Sequence, residues 1–184
     1  TGVHVSIPWD HTWIAGTPFA AMDHVILDDF AIHWFDFLVS IIGDHAERVF
    51  ATVGRAEGQA VHAPLLSQVL VTYPGGQASL VFDANAPHGA SDTTTVIGTK
   101  GTLRSTGPDL GRQSVSLATV EGVARPALVG TWFNDGFAGT MGALLAAIET
   151  GREPINAARG NLAALRLSQA AIESAETGKP VDLK

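Results

Sequence analysis

Between Arg48 and Val129 the apolar residues fall into a two-residue repeat interrupted by tight turns. Arg48 to Val53 reads as a strand. Leu66 to Tyr73 and Ala78 to Asp83 flank Pro74-Gly75-Gly76, Thr93 to Ile97 and Thr102 to Arg104 flank Gly98-Thr99-Lys100-Gly101, and Gln113 to Val120 and Ala124 to Val129 flank Glu121-Gly122. Hairpin after hairpin, with no helical stretch between them, excludes a parallel sheet built from crossover helices, because each crossover needs a dozen or more residues. The middle of the chain must form an antiparallel sheet.

Helical patterns stand on both sides of it. A helix is expected from Asp29 to Ile42, with Asp28 or Asp29 at its N-terminus and Gly43 at the left-handed position that ends it. Asn134 or Asp135 can cap a run through Phe137, Met141, Leu144, Leu145 and Ile148 to Gly151. Asn156 can cap an alanine-rich run through Leu162, Leu165, Leu167 and Ile172 that ends near Gly178. Residues 1–28 read as loop. The expected class is α+β: an open, mostly antiparallel sheet of about six strands with helices on one face, forming one domain over residues 1–184. The second sheet face, semi-apolar along Val69 to Tyr73, calls for another subunit or domain.

Composition narrows the function. With 46% hydrophobic and 16% charged residues the 184-residue chain is globular. A net charge of −7 without a basic run argues against nucleic acid. The absence of cysteine removes disulfides and thiolate metal sites. Neither a membrane-length apolar run nor a signal peptide is present, so a cytoplasmic location is the default. The first residue is Thr1 rather than Met, and a processed or truncated product is expected. No Gly-x-Gly-x-x-Gly follows a strand, and Gly98 to Gly101 has the length of a turn, not of a phosphate loop.

The helix from Asp29 carries the most chemistry. At about 100° per residue, Asp29, His33, Asp36 and Ser40 share a sector of roughly 60°. Phe30, Trp34, Phe37, Leu38 and Ile41 form an apolar stripe elsewhere on its surface. A carboxylate and an imidazole one turn apart either satisfy each other in a core or line a cleft as an acid/base pair, and imidazole suits the second role because it titrates near neutrality. The preceding loop, Trp9-Asp10-His11-Thr12-Trp13, sets aromatic faces beside hydrogen-bonding groups, which suits a sugar or polyol and suits a core equally well. Five of the seven histidines lie in the first 45 residues, yet no His-x-His or His-Glu-x-x-His spacing supports a metal site.

Asp28-Asp29-Phe30-Ala31-Ile32-His33-Trp34-Phe35-Asp36 with Gly43-Asp44 and Arg48 to Ala51, the Gly98-Thr-Lys-Gly-Thr-Leu103 turn, Phe137 to Met141, Glu149 to Pro154, Ala158 to Leu162 and Ser174 to Val181 resemble, in this order and spacing, the C-terminal domain of the Gfo/Idh/MocA oxidoreductases, relatives of glucose-fructose oxidoreductase and inositol dehydrogenase.

That resemblance implies a glyceraldehyde-3-phosphate-dehydrogenase-like C-terminal fold. It also implies a two-domain enzyme whose N-terminal Rossmann half binds NAD or NADP and carries a Glu-Lys-Pro motif, neither of which is in this sequence. Cofactor-binding residues are then expected outside this chain, and no metal ligands within it. His33 becomes the candidate base that takes a substrate hydroxyl proton, Asp29 the residue that orients it or binds a hydroxyl, and Asp36 a supporting acid. His11 and Trp13 are candidate substrate contacts on a loop that is not a general family signature. The expected substrate is a sugar or polyol, and the expected assembly a homodimer or homotetramer through the open sheet face. By itself such a half should be inactive. Two other readings stay open: a non-catalytic ligand-binding or oligomerisation module of the same fold, and a metal-dependent hydrolase.

Overall fold

The computed structural model describes residues 1–183. The chain opens with β1 (Gly2–Pro8), passes through short turns of helix at Thr12–Ile14, Pro18–Ala21 and Ile26–Phe30, and enters α1 (Ile32–Ile42). The strands β2 (Arg48–Gly54), β3 (Leu66–Tyr73), β4 (Gly76–Asp83), β5 (Asp92–Ile97), β6 (Gly101–Gly107), β7 (Ser114–Thr119) and β8 (Gly122–Ala124) come next. Then come α2 (Trp132–Thr150), α3 (Leu162–Thr177) and the short β9 (Val181–Asp182).

All strands join one nine-stranded sheet in the order β8-β7-β6-β5-β1-β4-β3-β2-β9. Each neighbouring pair is antiparallel except β1 with β4, which run parallel at the centre. The sheet is thus wider than the expected six strands. β1 lies in a stretch that reads as loop, although Val3, Val5 and Ile7 are buried in strict alternation with exposed His4 and Ser6. β8 and β9 hold three and two residues, too few to show a period. The strand expected over Ala124 to Val129 stops at Ala124, just before Pro126, which has no N–H to give a ladder.

The hairpin turns form where the glycines stand. Pro74 and Gly75 link β3 to β4, with Gly75 at φ +74°, the proline-then-positive-φ order of a type II turn. Gly98 N–H donates to Gly101 C=O at 2.9 Å and closes the turn between β5 and β6.

The core lies between one sheet face and the helices α1 and α3. Val3, Val5, Ile7, Val49, Val69, Val71, Leu80 and Phe82 from the strands meet Phe30, Trp34, Phe35, Leu38, Leu167 and Ala171 from the helical segments. The helical stripe that packs differs from the one that spacing alone suggests. Ala31 and Phe35 are buried, while Phe37 and Ile41 stand exposed at its edge. The opposite sheet face is uncovered and largely polar: its central row runs Phe50, Leu70, Ser79, His4, Thr95, Arg104, Ser116 across seven strands. α2 packs closely on neither face, and none of its residues is buried. Among the described residues no helix is long and apolar enough to cross a membrane.

Two buried polar groups in this frame have measurable consequences. β9 pairs with β2 only at Arg48 and Val49, so the next outward N–H of β2, on Ala51, would lack a partner. Ser174 supplies it: its buried Oγ accepts from Ala51 N–H at 2.9 Å and donates to Lys179 C=O at 2.6 Å. Ser174→Ala orphans both backbone groups, and denaturant unfolding should show a loss of about 1–3 kcal/mol.

Asp92, at the start of β5 on the core side, is 4% exposed and its Oδ2 has no hydrogen-bond partner. Burial raises its pKa to about 6. The folded state therefore holds a proton between about pH 4 and 6 that the unfolded chain releases, and stability falls as pH rises through that window. Asp92→Asn should stabilise the protein at about pH 8 by about 1–2 kcal/mol, after discounting for solvent screening, and give no gain at about pH 4. Equal effects at the two pH values in denaturant titrations would remove the buried-carboxyl account.

Candidate active site

The helical stretch that leads into α1 does not begin as an α-helix. Over Ile26–Phe30 it winds as one wide turn, closed by Ala31 N–H donating to Ile26 C=O at 2.7 Å, and only then tightens. Asp28 and Asp29 lie on this turn, so Asp29 is a residue within the wide turn and not a cap. Such a turn holds one extra residue, which shifts the helical phase of the residues before it relative to those after it.

The core side of this segment is aromatic. Phe30 lies 4.7 Å from Trp34 and 5.9 Å from Phe82 between ring centroids, and Trp34 lies 5.6 Å from Phe82. On the opposite side Asp29, His33, Asp36 and Ser40 are all exposed. No hydrogen bond joins Asp29 to His33 among the described residues. The His33 ring stands edge-on to Trp34 at 6.4 Å, and Ser40 Oγ turns back to donate to Phe37 C=O at 2.6 Å.

The loop after β1 folds onto the same segment. Its backbone is pinned by Trp9 N–H to Asp83 C=O and His11 N–H to Ala84 C=O, both at 2.8 Å. Asp10 Oδ1 accepts from the Thr12 N–H at 2.9 Å and the Thr12 hydroxyl at 2.6 Å, and these bonds hold its pKa below the usual carboxylate range. Its carboxylate is therefore committed to shaping the turn.

His11 is the residue the loop delivers to the site. Its ring centroid lies 4.1 Å from Phe30, stacks near Trp9 at 6.3 Å and 13°, and lies 6.1 Å from Trp13. Nδ1 is sealed from solvent without a partner. Burial depresses the His11 pKa, and the nearby charges of Asp10 and Asp29 offset this only in part. The imidazole is thus held neutral at physiological pH. Asp29, one turn from His33 in sequence, also acts on His11 across the loop.

The structure thus brings Asp29, His11 and Trp13 to one end of the polar stripe, with His33 a turn further on and Asp36 and Ser40 beyond it. Trp13 is 59% exposed and meets Phe19 edge-on at 6.0 Å. Trp9, an aromatic face of a loop whose sequence suits a sugar or a core equally, is packed inward beside the site. It bridges His11, Phe30 and Trp34, and its Nε1 is buried without a partner. Trp9 also lines a cleft of about 470 Å³ with Asp109, Leu110 and the first turn of α2. No group of three or more His, Asp or Glu side chains converges to hold a metal ion among the described residues.

Comparison with known proteins agrees with this architecture. Residues 3–104 match the GFO/IDH/MocA C-terminal domain. Over 165 residues the chain is 29% identical to an inositol 2-dehydrogenase of Rhizobium meliloti (strain 1021), an alignment that takes in 86% of this chain and 49% of the relative. The chain therefore spans about half the length of the curated relative it matches. An oxidoreductase from Agrobacterium radiobacter, crystallised with NAD+, L-tartaric acid and magnesium, superposes with a TM-score of 0.79 at 20% identity, covering 98% of this chain and 56% of that one. The aldose-aldose oxidoreductase of Caulobacter crescentus, complexed with glycerol, gives a TM-score of 0.80 at 19% identity over 99% of this chain and 55% of that one. These superpositions establish a shared fold. With the domain match extending over more than half of its residues, the chain belongs to the GFO/IDH/MocA family.

Proposed function

We propose that this chain is the substrate-binding and proton-transferring half of an NAD(P)-dependent oxidoreductase that acts on a sugar or polyol alcohol. The observation that carries the reading is the exposed Asp29–His33 stripe on a helix whose other side is locked into the core, facing outward beside an aromatic loop. A mutually satisfied core pair would have been buried and hydrogen-bonded.

The dinucleotide does not fit on this chain. The Gly98–Gly101 turn spends the Gly98 amide on Gly101 C=O, and no helix starts there to receive a phosphate. The family's Rossmann half is the proposed carrier, and the nicotinamide bound there would accept the hydride. This chain supplies the proton side. An imidazole nitrogen of His33 takes the proton of the reacting hydroxyl, and Asp29, one turn away, favours the imidazolium that results. His11, held neutral, can exchange a hydrogen bond with a neighbouring hydroxyl without competing for the proton. The exposed face of Trp13 suits the C–H face of a sugar ring. Asp36 extends the polar stripe by one turn and supports the site electrostatically. Alone, the chain has the base without the hydride acceptor and should be inactive.

In the full-length enzyme His33→Ala should lower kcat by at least tenfold, toward the roughly 10²–10⁴-fold range of general-base loss, with cofactor affinity nearly unchanged. Steady-state kinetics with a polyol panel and cofactor titration by fluorescence check this, and near-normal turnover would end the role of His33.

The uncovered sheet face is the proposed homodimer or homotetramer interface. Leu70, 54% exposed on β3 toward one side of that face, is an apolar residue the interface would cover. Light scattering at high micromolar concentration should find an oligomer, and Leu70→Asp should lower its mass. A monomer at that concentration would overturn the interface.

A further inference from the structure

His4 stands at the middle of the uncovered sheet face. β1 is the fifth strand in the nine-stranded order, and His4 is exposed at its centre. The ring is held in place. Nδ1 pairs with Ser79 Oγ at 2.7 Å. A Cβ on Gly2 would come within 3.1 Å of Nε2, so the imidazole rests where that residue has no side chain. A serine hydroxyl both donates and accepts, so the bond to Ser79 holds the ring in either protonation state. Imidazole is the side chain that ordinarily changes charge between about pH 5 and 8. A proton here alters the charge of the face and leaves its shape.

The neighbours supply no counter-ion. On this face β4 presents Gln77, Ser79 and Val81, and its Asp83 lies four residues beyond Ser79, roughly 13 Å along the strand. β5 presents only threonines and Ile97, with Lys100 in the turn beyond. β6 presents Arg104, whose Nε donates to Thr95 Oγ1 at 3.4 Å, two strands or about 10 Å from His4. β3 and β7 turn no charged side chain to this face. At the edge Arg48 is taken by Asp182 at 2.6 Å, and the terminal ammonium of Thr1 donates to Gly75 C=O at 2.9 Å. The centre of the face thus holds one fixed cation and one that comes and goes, with no carboxylate between them.

The face fits a second copy of the chain. Strands β1 to β7 hold six to eight residues each, so the face measures roughly 34 by 20 Å. That is about 700 Å², near the roughly 800 Å² that each partner gives to a stable interface. The hydroxyls of Ser79, Thr95 and Ser116 donate and accept alike, so the patch is complementary to itself, as a two-fold interface requires.

We infer that assembly through this face is opened by protonation of His4, which adds a second cation per copy beside Arg104 at the middle of the interface. This rests on the interface proposed above. While the face is open, a separation of about 10 Å is one Debye length and the two charges are screened. A closed face excludes that solvent, and two-fold symmetry doubles every charge within it. The rest of the chain acts in the opposite sense. It carries −7 at pH 7, and acid lowers the repulsion between copies. A weaker assembly in acid is therefore a local property of the face.

Sedimentation velocity of the full-length protein at fixed ionic strength tests this. The dissociation constant of the assembly should be at least about tenfold higher at about pH 5.5 than at about pH 8. His4→Gln should assemble as the native protein does at the higher pH and lose the pH dependence. His4→Lys, charged at both pH values, should assemble weakly at both. An assembly equally tight at the two pH values, native pH dependence in His4→Gln, or a tight His4→Lys assembly would overturn the inference and leave the interface standing. A monomer at high micromolar concentration and about pH 8 would remove the interface itself, and the inference with it.

Discussion

Everything functional in this domain depends on the packing of one aromatic wedge. Phe30, Trp34, Phe35 and Leu38 close over Phe82, Leu80 and the inner residues of β1. Burying four such side chains contributes roughly 1.5–3 kcal/mol each, enough to fix the rotational phase of α1 against the sheet. Once that phase is fixed, the residues half a turn away have no choice. Asp29, His33, Asp36 and Ser40 must face away from the core, and all four are exposed. The sheet thus acts on the chemistry without contributing a side chain to it.

The same wedge explains the loop. Trp9 and His11 pack on Phe30 and Trp34 rather than on the sheet, so the loop after β1 and the entry to α1 form one unit. The unit carries a cost. Trp9 Nε1 and His11 Nδ1 are sealed without partners, and each such group is worth roughly 1–3 kcal/mol of lost stability. Two unsatisfied polar atoms side by side are uncommon in a settled core and fit a place where a structure holds side chains for use rather than for stability. Here a neutral imidazole is held within electrostatic reach of the Asp29 carboxylate.

The hairpins are legible in the sequence because a turn needs a proline or glycine at a fixed place, as Pro74-Gly75 shows, and because alternation survives in strands of six or more residues. The polar stripe is legible because His33, Asp36 and Ser40 stand at helical spacing on α1, and Asp29, on the wide turn before it, is exposed as well. β1 escapes a reading of the sequence although Val3, Val5 and Ile7 alternate, because its pairing with β4 is parallel and distant and no local turn announces it. Spacing favours Phe37 over Phe35 for the core, and the structure reverses them for a different reason. At the edge of an apolar arc two phenylalanines look alike, and only the position of the sheet decides between them. The wide turn at Ile26–Phe30 has no local signature at all: it forms because the chain must absorb one residue between the packed Ile26 and Leu27 and the packed Trp34.

Unpaired apolar surface bears on the chemistry as well. A single domain that buried all its apolar faces would be stable alone and would present its base to water. This one leaves the α2 face and the inner side of β6 and β7 open, on the side of the fold to which Trp9 also belongs. An exposed imidazole and carboxylate are strongly screened, and their mutual influence is small while water surrounds them. Covering the adjoining apolar surface would exclude that water and strengthen the field of Asp29 on both histidines by lowering the local dielectric.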